Sequence, residues 1–191
     1  MDFSGAMDAL LKSNLAGVVI GASLTFLVHW SLRRSQRAGD RRIATMLVAT
    51  ELRKWLTACV SLISDVRNWN SSGEQVGSQH LELPEMELEK ILDQVARLRG
   101  TDAAELVELM HDKREADATA RGLMDVSDPD TATDSICLKA GVMFETGRQI
   151  YARLAISLGW PVNPFSEWQI KVVQEETRRL QRAGKAEIRG L

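Results

Sequence analysis

The apolar residues of this chain form one uninterrupted stretch near its start, followed by segments in which they recur at helical spacing. The stretch is residues 14–32, NLAGVVIGASLTFLVHWSL, and none of its nineteen side chains is formally charged. As an α-helix it would be about 28 Å long, close to the hydrocarbon thickness of about 30 Å in a bilayer. We therefore predict a transmembrane helix over residues 14–32, preceded by a short tail of residues 1–13.

The flanks of this stretch favour an uncleaved anchor over a cleaved signal peptide, which is the main alternative. A signal peptide begins with basic residues and ends at a small-residue cleavage site. Here Asp2 and Asp8 outnumber Lys12, and bulky and basic residues follow the apolar run. A basic juxtamembrane segment, residues 33–42, comes next and contains Arg33, Arg34, Arg37, Arg41 and Arg42. Because positive charge beside a span stays on the cytoplasmic side, we predict a single-pass protein of the inner (plasma) membrane. Its N-terminus lies outside and its C-terminal domain lies in the cytoplasm.

Small residues follow one face of the predicted span. Gly17 and Gly21 form a GxxxG motif, and Thr25 lies one turn further along the same face. Small residues at this spacing let two helices pack closely in lipid. The alternative is that glycine is simply common in membrane helices. The motif makes self-association through the span a hypothesis.

A second long helix is predicted over residues 40–69, at the start of a cytosolic helical domain covering residues 43–191. Its apolar residues recur at alternating intervals of three and four, which is the heptad spacing of coiled coils and bundle helices. This heptad seam comprises Thr45, Val48, Leu52, Trp55, Cys59, Leu62, Val66 and Trp69. Leu56 and Ile63 widen the seam, which favours a bundle helix over a two-stranded coiled coil. A loop rich in Asn, Ser and Gly, residues 70–79, follows.

Further helices are predicted from the same periodicity. One begins at Pro84 and ends at Gly100, with a buried stripe of Leu88, Ile91, Leu92, Val95 and Leu98. The next begins with the capping pair Asp102 and Glu105 and has an apolar face of Leu106, Val107 and Met110. A long helix over residues 131–158 has the stripe Ile136, Ala140, Met143, Gly147, Ile150, Leu154 and Leu158. A last helix uses Trp168, Val172, Val173 and Leu180. The predicted fold class is all-α: one transmembrane helix, then a bundle of about four to five helices.

The formal net charge of −2 conceals regions of opposite sign. Residues 82–134 contain fifteen acidic and six basic side chains and carry −9, whereas residues 135–191 contain nine basic and five acidic ones and carry +4. An acidic segment of this kind repels phosphate, so a nucleic-acid partner is not predicted. The basic C-terminus has two interpretations: it returns to an anionic membrane surface, or it pairs with the acidic segment.

Motifs that carry chemistry are weak. Glu108 and His111 have the Glu-x-x-His spacing of di-iron bundles, but no second copy occurs. Asp128, Asp130 and Asp134 lack the glycine and terminal glutamate of a calcium loop. Neither a nucleotide-binding motif nor a placed nucleophile is present. We therefore predict no catalytic residues, no cofactor or metal, and no small-molecule ligand.

The leading interpretation is a membrane-anchored interaction or regulatory module, scaffold-like, without a catalytic site. Its expected partners are membrane lipid and either another protein or a second copy of the chain, and the acidic segment offers a surface to a basic partner. The alternative is a membrane-perturbing effector of the lysis or defence type that oligomerises through Gly17 and Gly21. An enzyme is the third and least favoured class.

Overall fold

The computed structural model describes the backbone of residues 3–78, 80, 82–126 and 129–189, and the side chains of residues 26, 28–78, 80, 82–125 and 129–183. Its elements are all helical, which confirms the all-α class and the bundle. They are helix α1 (Phe3–Ser72), a 3-10 helix (Glu87–Ile91), α2 (Leu92–Val95), α3 (Gly100–Val126), α4 (Pro129–Leu158) and α5 (Glu167–Arg189). The chain divides into two compact units, Met1–Arg42 and Ile43–Leu191.

The first unit is described mainly by the exposed side chains of residues 28–42. The guanidinium carbon of Arg34 lies 5.3 Å from the ring centroid of Trp30, which is a cation–π contact between residues one helical turn apart. Across the described residues, none of the helices combines the length and apolar character needed to cross a bilayer. Most of the predicted span, residues 14–25 and Leu27, lies outside the described side chains.

The second unit contains the hydrophobic core, to which α1, α3, α4 and α5 all contribute. Every apolar member of the heptad seam from Val48 to Val66 is buried. The seven stripe residues predicted for α4 are buried too. At Gly147 a methyl group would meet Leu56 Cδ2 at 2.9 Å, so the missing side chain lets α1 approach α4 closely. These two stripes meet because the 3,4 spacing of each keeps its apolar residues on one face.

Helix α4 runs antiparallel to α3 and to α5. Near the C-terminal end of α4, the Arg153 guanidinium donates to Asp102 Oδ1 at 3.0 Å and to the Glu105 carboxylate. Towards its N-terminal end, a methyl group added to Gly141 would lie 3.1 Å from Cβ of Thr177 in α5. Asp102 and Glu105 were predicted to cap α3. That prediction was wrong, because α3 begins earlier, at Gly100, and both carboxylates bind Arg153 instead.

The segment between α1 and α3 differs most from the sequence prediction. The predicted long helix from Pro84 is instead an extended stretch, a 3-10 helix and the single turn α2. Two hydrogen bonds from other helices hold its backbone in place of a continuous helix. Trp55 Nε1 donates to Pro84 O at 3.1 Å in a part-buried contact, and Asp117 Oδ1 accepts from Leu83 N at 2.9 Å in a buried one. Gly100 was predicted to end a helix, but it begins α3.

Candidate functional site: an apolar groove beside α3

An open apolar groove lies between α2 and the first half of α3. Its volume is about 680 Å³, and its lining is almost entirely aliphatic. The lining residues are Leu92, Val95 and Ala96 from the α2 segment, and Ala103, Ala104, Val107, Glu108 and His111 from α3. Leu92 is 49% exposed and Val107 is 52% exposed. Large aliphatic side chains left half in water beside a concave apolar surface are typical of protein contact sites.

The local geometry of the two elements produces this groove. Along α3, Ala103, Val107 and His111 recur every four residues and therefore share one face of the helix. The neighbouring face carries Leu106 and Met110, which are buried in the core. Small side chains at positions 103 and 104 leave room that a leucine would fill. Opposite them, the change from a 3-10 helix to α2 turns Leu92 towards solvent.

This groove corrects one sequence prediction and refines another. Leu92 was predicted to belong to a buried stripe and Val107 to the apolar face of α3, and both side chains are half-exposed. Both predictions followed from apolar spacing, which shows that residues share a face but not that another element covers it. The paired alanines ahead of Val107 were the one sequence signal of a shallow site.

One carboxylate, that of Glu108, belongs to the groove lining. Two further acidic residues, the exposed Asp93 and Asp112, are chain neighbours of lining residues. Arg97 is the exposed basic residue next to Ala96. Further along the 3-10 helix, Arg114 Nε donates to Glu89 Oε1 at 3.0 Å, which neutralises that carboxylate and lowers its pKa. An apolar floor with the Glu108 carboxylate in its lining suits a cationic amphipathic segment.

The groove does not resemble a metal or catalytic centre. Glu108 and His111, the pair with Glu-x-x-His spacing, both lie in its lining. Within the described residues, however, no three His, Cys, Asp or Glu side chains are grouped closely enough to hold a metal ion.

The two cysteines lie in the core, away from the groove lining. Cys59 and Cys137 are buried thiols, and burial raises the pKa of both, that of Cys137 to about 12. Such thiols are poor nucleophiles.

The other residues named from the sequence are distributed as follows. Gly17, Gly21 and Thr25 lie outside the described side chains. The juxtamembrane arginines Arg33, Arg34, Arg37, Arg41 and Arg42 are all exposed. Val48, Leu52, Trp55, Cys59, Leu62 and Val66 are all buried, so their role is in packing. The buried seam residues do not contribute to the groove lining.

Part of the basic C-terminal helix pairs within the bundle. The Arg179 guanidinium lies 2.6 Å from Glu176 Oε1 and 3.5 Å from Asp134 Oδ1, which belongs to the acidic segment. Glu176 is buried, and its hydrogen bond raises the pKa of Arg179. Arg178 and Arg182 are exposed. Lys185 and Arg189 lie outside the described side chains. For Arg179, the structure shows the intramolecular pairing.

No family model matches this chain, and neither a curated protein nor a solved structure is significantly similar to it. Functional inference therefore depends on the residues and their geometry.

Proposed function

We propose that the protein is a single-pass membrane anchor joined to a helical interaction domain. The anchor is the uncharged stretch of residues 14–32, and the arginines of residues 33–42 orient it with the C-terminal domain in the cytoplasm, at the inner (plasma) membrane. The Trp30–Arg34 contact supports the end of the span at this point, since an aromatic ring and a guanidinium side by side suit the boundary between lipid and headgroup.

The domain binds a protein partner through the groove between α2 and α3. The observation that carries this proposal is the pair of half-exposed aliphatic side chains, Leu92 and Val107, beside a concave apolar surface of about 680 Å³. Its lining on α3 extends from Ala103 to His111, about 12 Å of helix, enough to receive two turns of another helix. The Glu108 carboxylate in the lining, and the acidic residues next to lining residues in the chain, favour a partner whose apolar stripe is flanked by Lys or Arg.

Site-specific photo-crosslinking in the intact membrane tests this proposal. A benzoylphenylalanine in place of Val107 is expected to form an adduct with a protein whose crosslinked peptide is amphipathic and basic. The same probe in place of Met124, which is 42% exposed on the same helix but outside the groove, is the matched control. Val107→Glu should abolish capture of the partner and Glu108→Lys should weaken it. Equal adducts at both probe positions would refute the groove as the binding site.

The anchor is tested separately by a reporter fused after Leu191. Cytoplasmic reporter activity, together with recovery of the protein in the membrane fraction after alkaline washing, is expected. Reporter activity outside the cytoplasm would contradict the orientation. Loss of the protein from washed membranes would contradict the anchor itself.

A further inference from the structure

One end of the second unit carries more than half of its exposed large hydrophobic side chains among the described residues. We name it the Ile43 end. Its members come from the first turns of α1 in this unit, the last turn of α4, the α4–α5 connection and the first turn of α5. They are Ile43, Met46, Leu47, Ile156, Val162 and Trp168, whose exposures range from 41% to 65%.

Contacts within the unit bring these segments together. A cavity of about 550 Å³ is lined by Thr50 and Arg53 of α1, Tyr151 of α4, and Trp160, Pro161 and Pro164 of the connection. Leu47 precedes Thr50 by one turn and so lies on the same face of α1. Trp160 is half-buried against the core, and Gly159, with φ at +72°, turns the chain there from α4 into the connection. The apolar side chains therefore surround a rigid, partly aromatic end of the bundle.

The opposite end of the bundle has a different character. Asp134, where Arg179 binds, precedes Tyr151 by seventeen residues of α4, about 25 Å of helix. There Arg179 pairs with Glu176 and Asp134. At the Ile43 end, the connection from Gly159 to Ser166 contains no charged side chain, although Arg153 of α4 pairs with Asp102 and Glu105 beside it. The exposed large hydrophobic side chains are thus concentrated at one end, whereas ion pairs occur at both.

We infer that the Ile43 end lies in the interfacial region of the membrane that the anchor spans, and that its occupant is lipid. This inference rests on the proposed anchor. Ten residues separate Leu32 from Ile43, and even a fully extended chain of ten residues reaches no more than about 35 Å. The Ile43 end is therefore held within reach of the bilayer surface whatever path those residues take.

The chemistry of the surface also fits lipid rather than a protein partner. Aliphatic side chains with tryptophans enter the boundary between acyl chains and headgroups, and arginines reach phosphates. Trp160, Trp168 and Arg53 provide these groups within the unit, and the five arginines of residues 33–42 precede it. Carboxylates also lie near this end: Glu167 is exposed at the start of α5, and Asp102 and Glu105 pair with Arg153.

Spin labels on the full chain in proteoliposomes of phosphatidylcholine and phosphatidylglycerol test this inference. Single cysteines are introduced as Val162→Cys and Leu47→Cys, with Val76→Cys, 59% exposed beyond the far end of α1, as the matched control. Native Cys59 and Cys137 are buried, so the unsubstituted chain gives the labelling background. The measurement is the collision rate of each label with lipid-soluble oxygen relative to a water-soluble nickel complex. This ratio is expected to be several-fold higher at positions 47 and 162 than at position 76.

A fourth variant, Phe26→Cys, reports the anchor independently, because Phe26 belongs to the predicted span. A lipid-type ratio at position 26 with water-type ratios at 47 and 162 would overturn the inference and leave the anchor intact. Water-type ratios at all four positions would overturn the anchor as well. Labels at 47 and 162 shielded from both reagents would show a protein contact instead of lipid, which also overturns the inference.

Discussion

Replacing Asp117 by asparagine should destabilise the bundle, because it breaks a buried ion pair of α3. The carboxylate is buried and has two partners: Oδ1 accepts from the backbone N–H of Leu83 at 2.9 Å, and Oδ2 lies 2.6 Å from Nζ of Lys113. The side chains of Asp117 and Lys113 are only 11% and 14% exposed. In Asp117→Asn, the oxygen facing Leu83 is retained, but an amide donor then faces the ammonium group.

The expected loss in unfolding free energy comes from the Lys113 charge, which stays largely buried after the substitution. Removing one partner of a buried ion pair costs about 3–5 kcal/mol, because the other charge stays buried without compensation. Lys113 keeps some contact with solvent, so the lower end of that range, about 3 kcal/mol, is expected. For a domain of this size that free energy corresponds to a decrease in Tm of roughly 6–12 °C. The perturbation also loosens the attachment of Leu83, which precedes the segment that forms one wall of the groove.

The assay is urea unfolding of the Ile43–Leu191 unit, which contains the entire described core, followed by circular dichroism. Asp112→Asn is the matched control, since Asp112 is exposed on the same helix. A double-mutant cycle with Lys113→Met measures the coupling between the two charges. If Asp117→Asn and Asp112→Asn shift the unfolding free energy by the same small amount, the buried pair does not stabilise the fold and the reasoning fails.

Three further predictions concern packing and reactivity. Gly141→Ala should destabilise the unit by about 1–3 kcal/mol, because the new methyl group meets a threonine of α5. Gly122→Ala, whose methyl group meets nothing, should stabilise the unit by up to about 1 kcal/mol. Thermal unfolding that ranks the two variants in the opposite order would contradict this packing. Leu62→Ala should cost about 2–5 kcal/mol in the same urea assay, since the side chain is 3% exposed, and an unchanged midpoint would mean that the heptad seam is not part of the core. Cys59 and Cys137 should react with Ellman's reagent at pH 8 only after denaturation, because burial raises the pKa of both thiols and blocks access to them. Rapid reaction of two thiols in the folded protein would disprove their burial.

The sequence predicted the all-α class and the two longest buried stripes. In α1 and α4, apolar residues recur every three or four positions for many turns, so each helix has a single face to bury. Leu52 and Ile150 lie on such faces and are fully buried. Periodicity was less informative at the ends of helices. Trp168 was named with Val172, Val173 and Leu180 for the last helix; those three side chains are buried, whereas Trp168, in the first turn of α5, is 64% exposed.

Only the tertiary structure decided the candidate sites. The groove exists because α2 and α3 leave Leu92 and Val107 uncovered, and no spacing rule indicates which apolar face a neighbouring element will miss. Likewise, Asp117 follows a run of charged residues, 112–115, so nothing local marks it as buried; its partner Leu83 lies 34 residues away and the two meet only in the folded chain. Local patterns determine the apolar face of each helix because they depend on neighbours three and four residues apart. Which apolar faces stay exposed, and which charged side chains are buried, depends on how residues distant in sequence pack against one another in the folded chain.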